Sequence, residues 1–199
     1  MAKVDIKLIQ ELRDRTGLGL MDCRKALEEA GGNIDKAIEL LRKKGAAVAA
    51  KRSGKETAQG IVHAYIHPGN QLGVLVEINC ETDFVARNEN ITQFAQDLCM
   101  HIAAMKPLYL TPEDVDPKFL EAEKTVIKDQ LVNSGKPEKI IDQIVEGKVS
   151  KIYSEVCLLK QPFVKNDKFT VEQMVQELIA KTGENIRIRR FARFEIGAE

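Results

Sequence analysis

Hydrophobic positions in the first forty or so residues recur every three to four places, the spacing that lines up one face of an α-helix. Ile6, Ile9 and Leu12 make the first such stripe, and Thr16-Gly17-Leu18-Gly19 breaks it. Leu20, Cys23 and Leu27 predict a second helix from about Leu20 to Ala30, stopped by Gly31-Gly32. Asn33 is placed to cap a third, whose stripe is Ile34, Ala37, Ile38 and Leu41. Three helices within Val4 to Lys43 form a small module that must bury its faces against one another. From Lys44 to Gln59 the chain turns rich in Ala, Lys, Gly and Ser, with nothing apolar larger than Val48. That composition predicts a linker or an exposed helix. The expected division is 1–54, a three-helix domain with its linker, and 55–199, a core domain. The first is expected to be tethered and partly mobile.

The pattern then switches to strand character. Ile61 to His67 and Leu72 to Cys80, with Leu72, Val74, Val76 and Ile78 alternating, predict a hairpin turning at Pro68-Gly69-Asn70. Ile91, Phe94, Ala95, Leu98 and Ile102 predict a helix over Asn88 to Met105. Further helices are expected over Lys118 to Ser134, stopped by Gly135, and from Pro137 to about Leu159. Thr170-Val171-Glu172-Gln173 reads as a capping box opening a helix to about Lys181. Asn185 to Glu195 alternates at Ile186 and Ile188 and then shifts phase to Phe191 and Phe194, a strand with a bulge that completes the sheet. The expected fold class is α+β, helix-rich, with a small antiparallel three-stranded sheet.

Composition narrows the function classes. Thirty basic residues balance thirty acidic ones, so total charge does not point to a polyanion partner. The distribution is uneven. Met1 to Gln59 holds 13 Lys/Arg against 9 Asp/Glu, and Glu81 to Glu123 holds 3 against 9, which suits a protein partner with differently charged patches. No segment approaches the roughly 18 to 20 apolar residues that span a bilayer, and the N-terminus lacks a signal-peptide pattern. A soluble cytoplasmic protein is expected. Cys23, Cys80, Cys99 and Cys157 form no C-x-x-C pair and read as small buried hydrophobes in a reducing compartment.

Candidate chemistry is sparse. Nothing fits G-x-x-x-x-G-K-[ST], so direct nucleotide binding is not expected. His63 and His67 share a strand face without a third ligand nearby, and Asp114-Val115-Asp116 lacks the Gly and Glu of a calcium loop. No metal, cofactor or catalytic set is expected, and an enzyme is unsupported. The basic cluster Arg187, Arg189, Arg190 and Arg193 reads as the wet face of a strand in preference to a nucleic-acid surface, since no aromatics interleave with it. The segment Glu81 to Asn88, between strand and helix, has two readings. Thr82 or Asp83 caps the helix and Phe84 staples it to the core, or else an exposed carboxylate beside an aromatic forms a wedge for a partner.

Asn79-Cys80-Glu81-Thr82-Asp83-Phe84-Val85-Ala86-Arg87 closely resembles the signature of the elongation factor Ts family. So does Leu12-Arg13-Asp14-Arg15-Thr16-Gly17-Leu18-Gly19-Leu20-Met21-Asp22-Cys23-Arg24-Lys25-Ala26-Leu27. His101 to Pro107, Ser134 to Glu138, Val145 to Lys148, Gln161 to Val164 and Phe191 to Glu195 agree in the same order, so the resemblance covers nearly the whole chain. It implies a ubiquitin-associated-like (UBA-like) three-helix domain, and a core that promotes GDP release from elongation factor Tu during translation elongation. In that family the signature's aspartate and phenylalanine disturb the partner's magnesium site. The resemblance carries this role to Asp83 and Phe84, with Thr82 and Val85 fixing their presentation, and Arg87 and Asn88 beside them. Leu12, Arg13, Met21 and Arg24 are implied as supporting partner contacts. Longer members carry a doubled core and this chain a single unit, which implies a homodimer. Two rival readings are an adaptor acting through the three-helix module and an RNA-binding translation factor acting through Arg187 to Arg193.

Overall fold

A computed structural model describes residues 4–132 and 137–198. Helices α1 (Ile6–Thr16), α2 (Leu20–Glu29) and α3 (Ile34–Arg52) open the chain. Asp5 caps α1 by accepting from the Lys7 N–H, and Asn33 caps α3 by accepting from the Lys36 N–H. Gly17 ends α1 at φ 68°, the left-handed conformation that glycine adopts without a Cβ penalty. Ile9, Leu12, Cys23, Ala26, Leu27, Ala37 and Leu41 close the core of this module. Ile6, expected in the first stripe, is instead exposed. Each i to i+3 step falls about 60° short of a full turn, which leaves Ile6 about 120° from Leu12 and off the buried face. Leu20 also stands half exposed in the first turn of α2.

The Ala-rich stretch after Lys43 is the second half of α3. Its apolar groups are small because the packing is close: a Cβ on Gly45 would lie 3.1 Å from that of Ala180. Arg42 also pairs with Glu177 at 3.2 Å.

Strands β1 (Gln59–Ile66) and β2 (Leu72–Cys80) form the expected hairpin, and β5 (Ile186–Glu195) lies beside β2 in the order β1-β2-β5. The sheet is antiparallel: the Ile196 N–H donates to the Gln71 carbonyl at one end, while Asn185 meets Glu81 at the other. Val74, Val76, Ile78 and Cys80 are buried on alternate positions of β2. Ile186 and Ile188 are buried on β5 with Arg187 and Arg189 exposed between them, and the alternation shifts at Arg190. Between β2 and β5 run α4 (Asp83–Ala86), α5 (Glu89–Met105), α6 (Pro117–Val132), α7 (Glu138–Val156) and α8 (Val171–Thr182). All five residues of the α5 stripe are buried. Gly135, expected to stop α6, lies outside the described residues.

A two-stranded ribbon of β3 (Pro162–Phe163) and β4 (Asn166–Thr170) was not anticipated. A strand of two residues shows no alternation, and β4 begins with the polar run Asn166-Asp167-Lys168. Its neighbourhood is pinned by a buried histidine. The Nδ1 of His101 accepts from the Val164 N–H at 3.1 Å, its Nε2 meets Gln161 Oε1 at 2.9 Å, and its ring stacks on Phe163.

Contacts divide the chain into two compact units. One comprises Met1–Val62, Glu77–Phe94 and Gln173–Arg189; the other comprises His63–Val76, Ala95–Glu172 and Arg190–Glu199.

Candidate partner-binding site

The segment Thr82 to Asn88 lies wholly within the first unit. β2 ends at Cys80, and Thr82 takes an extended conformation that turns the chain into α4, a single helical turn. The Thr82 hydroxyl oxygen accepts from the Val85 N–H at 3.3 Å, an N-cap. The same hydroxyl donates to Glu184 Oε1 at 2.7 Å, and the Thr82 N–H donates to Glu184 Oε2 at 3.0 Å. A second carboxylate answers from the other side: Glu81 accepts from the Asn185 N–H and pairs with Arg52 at 3.1 Å. Asn185 in turn donates its side-chain amide to the carbonyls of Ser53 and Lys55. The exit of β2, the entry of β5 and the end of α3 are thus laced together around the base of α4.

On that base, α4 sorts its residues sharply. Val85 and Ala86 are buried beneath the turn, whereas Phe84 is 80% exposed. Phe84 therefore staples nothing, and of the two readings of this segment the capping role falls to Thr82 alone. Asp83 is also exposed and pairs with Arg87 at 3.1 Å across one turn, a solvated contact worth little to stability. Asn88 accepts from the Asn90 N–H at 2.9 Å, turning the chain into α5. Below the turn, burial raises the Cys80 thiol above its ordinary value and the Glu184 carboxylate adds to the shift. Cys80 stays a neutral donor to the Thr82 carbonyl.

The structure thus brings Thr82, Asp83, Phe84, Val85, Arg87 and Asn88 into one turn, with an aromatic and a carboxylate side by side at its surface. The remaining sequence candidates lie on α1 and α2. Arg13, Met21 and Arg24 are exposed, with Arg24 paired to Glu28 at 2.9 Å. Leu12 is fully buried, so its side chain packs the helical module and presents nothing to a partner. Sequence reasoning missed Arg52, Glu184 and Asn185 as supports of the turn. Glu184 stands 102 residues from Thr82, and no local pattern marks such a pairing.

The other candidates have local roles. His63 meets Gln96 at 2.7 Å, and His67 meets the Tyr65 hydroxyl at 2.9 Å. Asp114 accepts from Thr111, and Asp116 from the Lys118 N–H, both as caps. No group of three His, Cys, Asp or Glu able to hold a metal occurs among the described residues. Arg193 leaves the exposed row of arginines to pair with Glu195 at 2.7 Å. Among the described residues no helix is long and apolar enough to cross a membrane.

Comparison with known proteins agrees along the length of the chain. The Elongation factor TS family profile matches residues 24–198. An elongation factor Ts of Desulforamulus reducens is 53% identical over 197 residues, covering 99% of this chain and 91% of the relative. Those of Desulfitobacterium hafniense and Geotalea uraniireducens are 55% and 54% identical over 99% and 95% of this chain, and 91% and 88% of their own lengths. With a matching profile over most of its residues and relatives of this identity, the chain belongs to the elongation factor Ts family and is a translation elongation factor.

Proposed function

We propose that the protein is a guanine-nucleotide exchange factor that binds elongation factor Tu and promotes GDP release by disturbing its magnesium and nucleotide site. The exposed Phe84, standing beside Asp83 on a turn anchored from below, is the observation that carries this reading. The factor acts by binding alone, as a non-enzymatic component of the cytoplasm, without cofactor, nucleic acid or nucleotide of its own. Residues 1–54 serve as a UBA-like domain and linker and 55–199 as the core. Arg13, Met21 and Arg24 add partner contacts, Leu12 acts only by packing behind them, and Arg87 and Asn88 border the wedge.

Energetics limit what the wedge does alone. A G protein holding GDP at nanomolar affinity does so with about 12 kcal/mol. Burying one phenylalanine supplies only about 1.5 to 3 kcal/mol. The remainder must come from lost magnesium coordination and from contacts spread over other surfaces. Coupling is reciprocal, so nucleotide expels this protein from the partner as strongly as the protein expels nucleotide. The test is release of fluorescent GDP from Tu on mixing with the Asp83→Ala/Phe84→Ala double variant. Severely slowed release by a folded variant supports the wedge, and release at the wild-type rate overturns it.

The proposal extends to a homodimer. Ala64, Ile66, Leu75, Phe194 and Ile196 line an apolar surface cavity of about 460 Å³ in the second unit, with Ile66, Phe194 and Ile196 each more than half exposed. Apolar patches of this kind on a soluble chain mark contact surfaces.

A further inference from the structure

The wedge is a one-turn helix, too short to hold itself. Helix nucleation is unfavourable, and four residues offer almost no propagation to offset it. Its shape must therefore be imposed from outside, and the contacts that impose it are few. Val85 and Ala86 are buried beneath the turn and set which side faces inward, but apolar burial is not directional and leaves the finer aim of the turn to its hydrogen bonds. The directional contacts converge on Thr82. Its hydroxyl oxygen accepts from the Val85 N–H inside the turn while the hydroxyl and the N–H both donate to the carboxylate of Glu184. Two donors on two carboxylate oxygens leave a single orientation for Thr82, and hence for the helix that starts on it. The opposite chain direction is held in the same way, with Glu81 accepting from the Asn185 N–H. Each glutamate accepts from the backbone N–H of the residue that follows the other, Glu184 from Thr82 and Glu81 from Asn185, a crossed pair of carboxylate–amide bonds.

From this geometry we infer that Glu184 is a positioning residue for exchange: it fixes the direction in which Phe84 and Asp83 leave the surface, without touching the partner. The inference rests on the wedge reading above and adds a residue remote in sequence from the signature. Glu184 is a directional support and not a packing one, since its side chain meets Thr82 at an exposed position where the fold has little to lose. Its removal leaves Phe84 present, exposed and able to bind, but no longer held in one direction. The loss then falls on the rate at saturation and not on the concentration needed to saturate.

The experiment measures release of fluorescent GDP from Tu over a range of concentrations of the protein and five variants: Phe84→Ala, Glu184→Ala, Glu184→Gln, Thr82→Val and Thr82→Val/Glu184→Ala. The expected result for Glu184→Ala is a plateau rate lowered about tenfold, with the half-saturating concentration within about twofold of wild type and the melting temperature nearly unchanged. Glu184→Gln, which keeps one acceptor oxygen for Thr82, recovers most of the plateau. The Thr82→Val/Glu184→Ala pair is no slower than the slower single, because both changes cut the same link. Three results overturn the inference while leaving the wedge reading intact: a Glu184→Ala plateau within about twofold of wild type beside a slowed Phe84→Ala, a loss confined to half-saturation, or full additivity in the double variant. A Phe84→Ala plateau equal to wild type removes the wedge reading itself, and the inference falls with it. If Glu184→Ala is unfolded at the assay temperature, the folded Glu184→Gln and Thr82→Val variants decide. A Thr82→Val plateau equal to wild type then counts against the inference, and a lowered one for it.

Discussion

Phe84→Ala separates what the wedge contributes to folding from what it contributes to exchange. Phe84 is 80% exposed, so folding covers only about a fifth of its side chain. Full burial of a phenylalanine contributes about 1.5 to 3 kcal/mol, which puts the folding share at about 0.3 to 0.6 kcal/mol. For a chain of this size each kcal/mol shifts the melting temperature by about 2 to 4 °C, so the variant melts within about 2 °C of wild type. If the exposed four-fifths is buried against the partner in the rate-limiting state, about 1.2 to 2.4 kcal/mol is lost there. That corresponds to about an 8- to 60-fold slower stimulated GDP release. Val85→Ala, one position along, reverses the pattern. Val85 is buried, and losing two carbons with the cavity they leave costs about 1.5 to 3 kcal/mol of stability, a drop in melting temperature of about 3 to 12 °C. Calorimetry and stopped-flow fluorescence on the same preparations check both halves. A Phe84→Ala protein that melts far below wild type, or that releases GDP at the wild-type rate, refutes the division of labour between the two residues.

Three further outcomes follow from the same geometry. Burial lowers the pKa of His101 below its ordinary 6.5, and its Nδ1 accepts a backbone N–H, so the folded protein holds the ring neutral. Its contribution is fully present above about pH 6.5 and is lost as pH falls below that value, because the unfolded chain takes the proton first. Melting temperature should decline on acidification over that range, and His101→Gln should flatten the decline. Gly60 has φ 154°, and a Cβ there would run into the Ile78 carbonyl, so Gly60→Ala should cost about 2 kcal/mol or more in chemical unfolding. Phe194→Glu places a charge on the apolar cavity of the second unit and should shift the sedimentation of a homodimer to that of a monomer. An unchanged dimer removes that surface from consideration.

The sequence announces those elements whose packing is repeated along one face. The α5 stripe runs over three turns with large residues at four of its five positions, and all of it is buried. The second half of α3 is legible only as one of two alternatives because the residues that pack it are Gly45 and Ala49, whose smallness mimics a linker. β3 is invisible because two residues carry no period. In the wedge, the cap at Thr82 follows from residue type and position, whereas the exposure of Phe84 does not. An aromatic two places beyond a cap satisfies a staple equally well, and only the burial of Val85 and Ala86 decides which side of the turn faces inward. The resemblance to a family signature pointed to Asp83 and Phe84, but no motif extends to Glu184.

The support beneath the turn, buried residues and glutamates together, decides whether the wedge works at all. Fixing the backbone of one residue costs about 1 to 2 kcal/mol, so ordering the four residues of α4 at the moment of binding would cost about 4 to 8 kcal/mol. The exposed part of Phe84 returns only about 1.2 to 2.4 kcal/mol when buried. A wedge that ordered itself on contact would therefore oppose binding, however well its aromatic fitted. The turn must already be ordered in the free protein, and its ordering must be offset by contacts that do not involve the partner. Burial of Val85 and Ala86 supplies the larger part of that offset and the crossed bonds of Glu184 and Glu81 supply its direction. Functional constraint on this surface accordingly extends beyond Asp83 and Phe84. It includes the buried residues under the turn and two glutamates that lie 103 positions apart in the chain, at residues 81 and 184.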